Sequence, residues 1–159
     1  MPANTPEKRD THRLGDYAFR KADALPAAGL TTYSTGLDLA TILPQTAKGA
    51  SLAECIFSVR VPNMTVAGLV DADTLKVSVM VDSVAPIDAS SKAIMPDIIS
   101  MLGAGGVGDL GEEFSIKVPV EGFYYQGTKY PVIGVRVAHT GTGVPSGEAD
   151  GTVHTALLF

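Results

Sequence analysis

The clearest pattern in this chain is a two-residue alternation of apolar and polar side chains. Over residues 75–82, one Leu and three Val alternate with Lys, Ser, Met and Asp. This period places the apolar side chains on one face of a β-strand. The pattern recurs over residues 114–118, 131–138 and 152–159, and residues 52–61 are rich in β-forming side chains. The sequence therefore predicts strands in all five segments.

Three further segments carry weaker signals. Residues 30–42 indicate an extended edge segment, and residues 65–70 indicate a short strand that ends in a polar turn at residues 71–73. In residues 86–102, apolar side chains recur at intervals of three and four, which is typical of a short helix or an irregular crossing. We expect one or the other there.

The whole pattern favours an all-β fold. Seven or eight short strands joined by Gly- and Pro-rich turns, with at most one short helix, are typical of an antiparallel β-sandwich, and we expect a jelly roll. A chain of 159 residues is long enough for one domain and too short for two comfortable ones. We assign this domain to residues 25–159.

Residues 1–24 have a different character, because they are polar, charged and rich in proline. Tyr17 and Phe19 are their sizeable apolar side chains. The segment is predicted to be an extended arm. It is either a flexible end or an arm that orders on a neighbouring subunit, in which case Tyr17 and Phe19 are candidate contact residues.

Charge and hydropathy narrow the classes of partner. Twelve basic and 17 acidic residues give a net charge of −5, with no basic stripe to neutralise phosphates, so we expect no nucleic-acid binding. The sequence has no apolar run of the length that spans a membrane and no secretory signal at its start, so we expect synthesis in a cytoplasm and no membrane partner.

The glycine-dense loop at residues 103–111 contains Gly103, Gly105 and Gly108 in the spacing of a dinucleotide-binding fingerprint. That motif requires a helix directly after the glycines, whereas alternation begins by residue 114. We therefore expect no cofactor. The glycines indicate a mobile loop or a loop that passes close to another backbone segment.

Catalytic and metal-ligating groups do not assemble into a site in this sequence. The lone Cys55 stands beside Ile56 and Phe57, which indicates a packed thiol. His139 and His154 lie at or inside predicted strands, beside solvent-facing positions, and no serine occupies a nucleophile motif. The carboxylates at residues 71 and 73 indicate a polar turn, and adjacent Glu112 and Glu113 point to opposite strand faces. We predict no enzyme activity and no metal site.

An aromatic cluster remains: Phe123, Tyr124 and Tyr125. No basic residue directly flanks the cluster, so stacking on nucleic-acid bases is disfavoured, and an amphipathic protein contact is the more natural use of these rings. Phe123, Tyr124 and Tyr125 are therefore predicted interaction residues.

Several segments, taken in order, resemble a known family. They are TTYSTGLDLA at residues 31–40, the β-rich block to residue 61, LKVSVMVDS, LGAGGVGDLG, IKVPVEGFYYQGTKYPVIGVRV and the final ALLF. Together they resemble the small capsid cement or decoration proteins of tailed bacteriophages over residues 25–159. The charged extension at residues 1–24 departs from that pattern.

The resemblance implies a jelly roll that binds as a symmetric oligomer, a dimer or a trimer, to the outside of an icosahedral head. The implied partner is the major capsid protein, and the implied location is the capsid surface after synthesis in the bacterial host. Two alternatives stay open. One is a phage tail subunit or a carbohydrate-binding surface module with Phe123, Tyr124 and Tyr125 as its platform; the other is an enzyme on the same fold using His139 and His154.

Overall fold

The computed structural model describes residues 19–39, 54–104, 106, 108–119, 121–147 and 151–158. Eleven strands occur in this part of the chain: β1 (Arg20–Ala24), β2 (Thr31–Tyr33), β3 (Leu37–Asp38), β4 (Glu54–Val61), β5 (Thr74–Asp82), β6 (Lys92–Leu102), β7 (Glu112–Pro119), β8 (Phe123–Tyr125), β9 (Thr128–Tyr130), β10 (Val132–Thr140) and β11 (Thr152–Leu158). The predicted all-β class is confirmed.

The strands form two main antiparallel sheets and a hairpin. Sheet A has the order β1-β11-β4-β7, and sheet B has the order β2-β10-β5-β6, with β3 also paired to β10. Strands β8 and β9 form a separate two-stranded hairpin. In the part of the chain that the structure describes, no helix is long and apolar enough to cross a membrane.

The core lies between sheets A and B and follows directly from the alternation in the sequence. Phe57 and Val59 of sheet A and Leu75 and Ile133 of sheet B are all fully buried. Each such side chain contributes about 1.5–3 kcal/mol when it leaves water. Cys55 belongs to this cluster, and burial raises the pKa of its thiol to about 11. The predicted packed thiol is confirmed.

A second, smaller apolar cluster lies on the outer side of sheet B. Met80, Ile87 and Val132 are at most 3% exposed, and Tyr33 packs against them. Met80 is one of the alternating residues whose face points away from the main core. Residues 83–91, which connect β5 and β6, carry Ile87 across this face. The outer side of sheet B is therefore covered by the chain itself around Met80 and Val132.

Residues 86–102 do not form a helix, so that expectation is wrong. Most of them belong to β6, which pairs with β5 through register shifts opposite residues 77–80. Asp97 has a φ of 49°, and its N–H donates to Ser78 Oγ at 3.1 Å. β6 therefore contains β-bulges, which add residues to one strand of a pair. Bulges change the face that successive residues present, so a strand acquires three- and four-residue spacing.

The strand predicted at residues 65–70 is also absent. Met64 forms isolated bridges to Asp109 and Gly147, and the residues after it turn. The N–H of Leu69 donates to the carbonyl of Thr65 at 2.9 Å, which closes this turn. Apolar residues here fill the end of the core rather than the face of a strand.

The first strand begins inside the segment assigned to the arm. Arg20–Ala24 pair with β11 at the edge of sheet A, with Arg20 opposite Ala156 and Ala24 opposite Thr152. Phe19 is 6% exposed and belongs to the main core cluster. The sheet therefore includes residues 20–24.

Candidate interaction site

The β8–β9 hairpin presents the predicted aromatic cluster on a defined backbone. Tyr124 is paired with Lys129 and Tyr125 with Thr128. The two residues of the turn, Gln126 and Gly127, have φ values of 48° and 80°. Positive φ at both central positions is the geometry that matches the twist of a two-residue hairpin. Gly127 adopts it without a Cβ penalty.

The hairpin is anchored at its base and exposed along its length. Phe123 and Tyr130 face each other across the two strands, and both pack against the main core. Tyr124 and Tyr125 are 64% and 53% exposed. Adjacent residues in a strand point to opposite faces, so the hairpin offers one tyrosine on each side. The structure thus separates Phe123, an anchor, from Tyr124 and Tyr125, which are accessible.

Both exposed tyrosines have a lysine over one ring face. The Lys92 ammonium lies 4.9 Å from the ring centroid of Tyr125 and 5.9 Å from that of Tyr130. The Lys129 ammonium lies 5.8 Å from the ring centroid of Tyr124. These distances fall within the range of cation–π attraction. Among the described residues neither ammonium has a carboxylate within 4.0 Å, so the hairpin carries unpaired positive charge on an acidic chain.

Of the two aromatic side chains predicted in the arm, the structure describes Phe19, and Phe19 does not join this site. Phe19 packs into the chain's own core at the edge of sheet A, and its ring is not on the surface. Tyr17 lies outside the described residues. Lys92 and Lys129 could not be predicted as part of this site, because a lysine over an aromatic ring leaves no pattern in a single sequence.

A buried polar cluster lies at the other end of the sandwich, where β10 finishes. His139 is 3% exposed and Asp73 is 4% exposed. The predicted turn at residues 71–73 is present, and the side chain of Asp73 at its end is buried. His139 Nδ1 accepts the N–H of Gly29 at 2.9 Å, and Nε2 lies 3.4 Å from Asp73 Oδ2. In β10 the alternation of Ile133, Val135 and Val137 continues to His139, and this signal places the imidazole inside.

The Asp73 carboxylate holds the neighbouring loop. It accepts the N–H of Gly143 at 2.8 Å and the N–H of Thr142 at 3.2 Å. Burial by itself raises the pKa of Asp73. The hydrogen bonds from these N–H groups and the nearby His139 together lower it by more, so that the pKa lies below its ordinary value of 3.8. Both ring nitrogens of His139 face groups of the protein itself. The cluster therefore ties three loops together.

The glycine-dense loop also serves the packing of this end. A Cβ on Gly103 would lie 2.1 Å from the carbonyl oxygen of Val70, and a Cβ on Gly108 would lie 2.2 Å from that of Met64. The prediction of a loop close to another backbone segment is confirmed. The element that follows is β7, a strand, rather than the helix that dinucleotide binding needs. Within the described ranges, no group of three His, Cys, Asp or Glu side chains is arranged to hold a metal ion.

Comparisons with models of known protein families, with curated proteins and with solved structures found no match to this chain.

Proposed function

We propose that this chain is a structural virion protein that binds the outer surface of a tailed-phage head and bridges neighbouring capsid subunits. The observation that carries this proposal is the β8–β9 hairpin, with Tyr124 and Tyr125 exposed on a base fixed to the core. Tyrosines dominate the energetics of many protein interfaces, because they bury a large area at low cost in conformational entropy.

The stabilising effect follows from linkage. A protein that binds the assembled shell but not the separated subunit shifts the equilibrium towards assembly. A rigid sandwich is suited to this role, because the hairpin already has its bound shape and little entropy is lost on docking. A copy that spans two subunits must be released from at least one of them before the subunits separate. Self-association into a dimer or a trimer would multiply these contacts.

We propose further that the sandwich is a jelly roll. Successive strands β1 and β2, β4 and β5, β6 and β7, and β10 and β11 lie in opposite sheets. A four-stranded sheet and a five-stranded sheet with crossings of this kind support that description.

A carbohydrate-binding platform is the second candidate for the same tyrosines. Sugar rings stack on the open face of an aromatic side chain. Lys92 and Lys129 each cover one face of a hairpin tyrosine, and their charge favours a carboxylate-bearing protein surface over a neutral sugar. The lysines therefore support the shell-binding proposal over this alternative.

The test uses expanded phage heads stripped of this protein, with rebinding measured by sedimentation. Replacing both tyrosines, Tyr124→Ala with Tyr125→Ala, is expected to weaken binding about a hundredfold, at about 1.4 kcal/mol for each ring. Heads without the protein are expected to rupture at lower temperature than heads that carry it. Thr128→Ala is the matched control, since it alters the same exposed hairpin without removing a ring.

Two results would contradict the proposal. One is rebinding of the double variant with unchanged affinity. The other is equal thermal and osmotic resistance of heads with and without the protein. Binding to labelled tails or to immobilised polysaccharide, with none to heads, would favour the alternatives. Sedimentation equilibrium of the free protein separates a dimer from a trimer.

A further inference from the structure

The outer side of sheet A contains a trough that runs across its strands. Its floor is a row of small side chains in register: Ala156 of β11 lies opposite Ser58 of β4, and Ser58 lies opposite Ser115 of β7. Arg20 of β1 closes the row at the other edge, opposite Ala156. The cavity at this place has a volume of about 480 Å³. It exists because short side chains occupy one row between two rows of longer ones.

One wall of the trough is charged. His154, Arg60 and Glu113 stand next to one another in register, two residues along from the floor. Ser58 Oγ donates to Glu113 Oε1 at 3.1 Å, so this carboxylate is engaged at the floor. Among the described residues, Arg60 has no carboxylate within 4.0 Å. Arg20 also lines the cavity, so its lining holds two guanidinium groups and one carboxylate on a chain whose net charge is −5.

The opposite wall is apolar where it meets β11 and β4. Leu158 lies opposite Ile56, on the other side of the floor. These side chains are 37% and 40% exposed, which is high for large aliphatic groups on a sheet. A ligand seated in the trough therefore meets the Arg60 guanidinium along one wall and aliphatic side chains along the other.

We propose that this trough binds an extended, acidic segment of a protein partner in which acidic and apolar residues alternate. In an extended chain, successive side chains point to opposite sides, so one side of such a segment meets Arg60 and the other meets Leu158. Carboxylates are the preferred partners of arginine, because the planar guanidinium donates two parallel hydrogen bonds.

An extended segment fits this site better than a small anion. Arg20 and Arg60 belong to strands on opposite sides of β11 and differ in register by two residues. Neighbouring strands are about 4.8 Å apart and residues rise about 3.3 Å, so the two side chains start from well-separated points. A single phosphate would leave most of the cavity of about 480 Å³ unfilled. A segment several residues long meets both in turn.

This inference goes beyond the proposed function. It concerns a different face from the β8–β9 hairpin and does not depend on the identity of the shell. If both hold, each copy has two separate contact surfaces, as a protein that bridges two subunits needs.

The probe is a fluorescein-labelled, end-blocked hexapeptide that alternates Glu and Leu, and binding to the full-length protein is followed by fluorescence anisotropy. We expect saturable binding below 1 mM that weakens as salt is raised from 50 to 300 mM. The matching Gln-Leu and Lys-Leu peptides are expected to bind at least about tenfold more weakly. Backbone amide resonances of Ser58 and Ala156 are expected to shift on titration with the Glu-Leu peptide.

Three variants localise the binding. Arg60→Gln and Arg20→Gln are each expected to raise Kd about fivefold. Ala156→Gln fills the floor without changing any charge and is expected to remove binding, which a diffuse electrostatic attraction does not predict. Lys129→Gln removes one positive charge from the hairpin and is the matched control, with Kd unchanged.

Several outcomes would overturn the inference. Equal binding of the Glu-Leu and Gln-Leu peptides, or none at 1 mM, removes the acidic segment as the ligand. Displacement of the peptide by citrate at the same carboxylate concentration indicates a small-anion site instead. Conversion of an oligomer to monomers by Arg60→Gln, without peptide binding, assigns the trough to a second copy of the chain. The double variant Tyr124→Ala with Tyr125→Ala is expected to bind the peptide normally. Failure of the shell-binding proposal can therefore be distinguished from failure of the trough proposal.

Discussion

At the end of the sandwich where β4 and β10 finish, four loops pack against one another. At the opposite end lies a hairpin whose side chains reach solvent. The first, which we call the loop end, comprises residues 25–30, 62–73, 103–104, 106, 108–111 and 141–147. The second, the hairpin end, comprises residues 83–91 and 121–131. Both ends close the same two sheets, yet they use polar and aromatic groups in opposite ways.

At the loop end, polar groups are turned inwards. Asp73 and His139 are almost fully buried, and their hydrogen-bonding atoms face backbone N–H groups and each other. Glycines bring one backbone against another, as Gly103 does with Val70. At the hairpin end, Tyr124 and Tyr125 are turned outwards. The difference teaches that the buried polar groups of a small β-protein can serve folding, while its exposed aromatic side chains lie on a two-residue hairpin.

The largest loss of stability is expected from a substitution that adds a side chain at Gly103. In Gly103→Ala, the added methyl group would overlap the carbonyl oxygens of Val70 and Leu69, at 2.1 and 2.5 Å. Because these are backbone atoms, relief requires movement of the loop, and we expect a loss of about 3 kcal/mol. For a chain of this size the melting temperature would fall by about 6–12 °C. Thermal unfolding followed by circular dichroism measures the change.

Gly106→Ala is the matched control in the same loop. Its added methyl group would have no atom within 4 Å, and only its φ of 65° opposes the substitution. The expected cost is about 1 kcal/mol. Equal losses for the two variants would show that the loop end is not held by close backbone packing.

A smaller effect is expected from acid. The pKa of Asp73 is lower in the folded protein than its ordinary value of 3.8. Its contribution to stability is therefore complete above that value and is lost as the pH falls through the folded pKa. In urea unfolding from pH 6 to pH 2.5, the free energy of unfolding is expected to fall less for Asp73→Asn than for the wild type. The variant is still expected to lose some stability at low pH, because hydrogen bonds from Ser90 also lower the pKa of Asp88 at the hairpin end.

The control for acid sensitivity is Ser146→Ala, which removes the 2.9 Å hydrogen bond to Thr65 at the same end without removing a titrating group. We expect it to lower the free energy of unfolding by a similar amount at every pH. If Asp73→Asn kept the wild-type acid dependence, the carboxylate would not be the group that couples this end to pH.

The smallest effect is expected in the hairpin. Lys129 lies over Tyr124 at the surface, where a cation–π contact contributes about 0.5–1 kcal/mol. A double-mutant cycle of Lys129→Gln with Tyr124→Leu is expected to give a coupling free energy of about 0.5 kcal/mol in urea unfolding. Pairing Lys92→Gln with Tyr124→Leu is the control, with coupling near zero. Equal coupling in the two cycles would mean that these lysines act through general charge rather than ring contact.

The sequence predicted the strands that bury one face, because their alternation reports burial directly. Residues 75–82 and 131–138 became β5 and β10, and the turn after residue 70 also formed. The bulged strand β6 was predicted as a helix or irregular crossing, since each inserted residue changes the face that follows. Pro96, directly before Asp97, is a local signal of this geometry, because a proline inside a strand is confined to edge strands and bulges.

The candidate site was predicted in part. Phe123, Tyr124 and Tyr125 were recognised as a cluster, but only the pairing with β9 separates the buried anchor from the exposed rings. The trough on sheet A depends on Ala156, Ser58 and Ser115, which are about 40 residues or more apart in the sequence and meet only through strand register. Information of that kind is a property of the paired sheet and not of any one segment.

The apolar cluster of Met80, Ile87 and Val132 makes the two outer faces of the sandwich different from each other. Ile87 and its connecting segment occupy one broad side, while the rows of sheet A stay open on the other. A copy turned over would offer any neighbour a different set of groups. Copies arrayed on a curved surface are therefore equivalent only when all of them are turned the same way round.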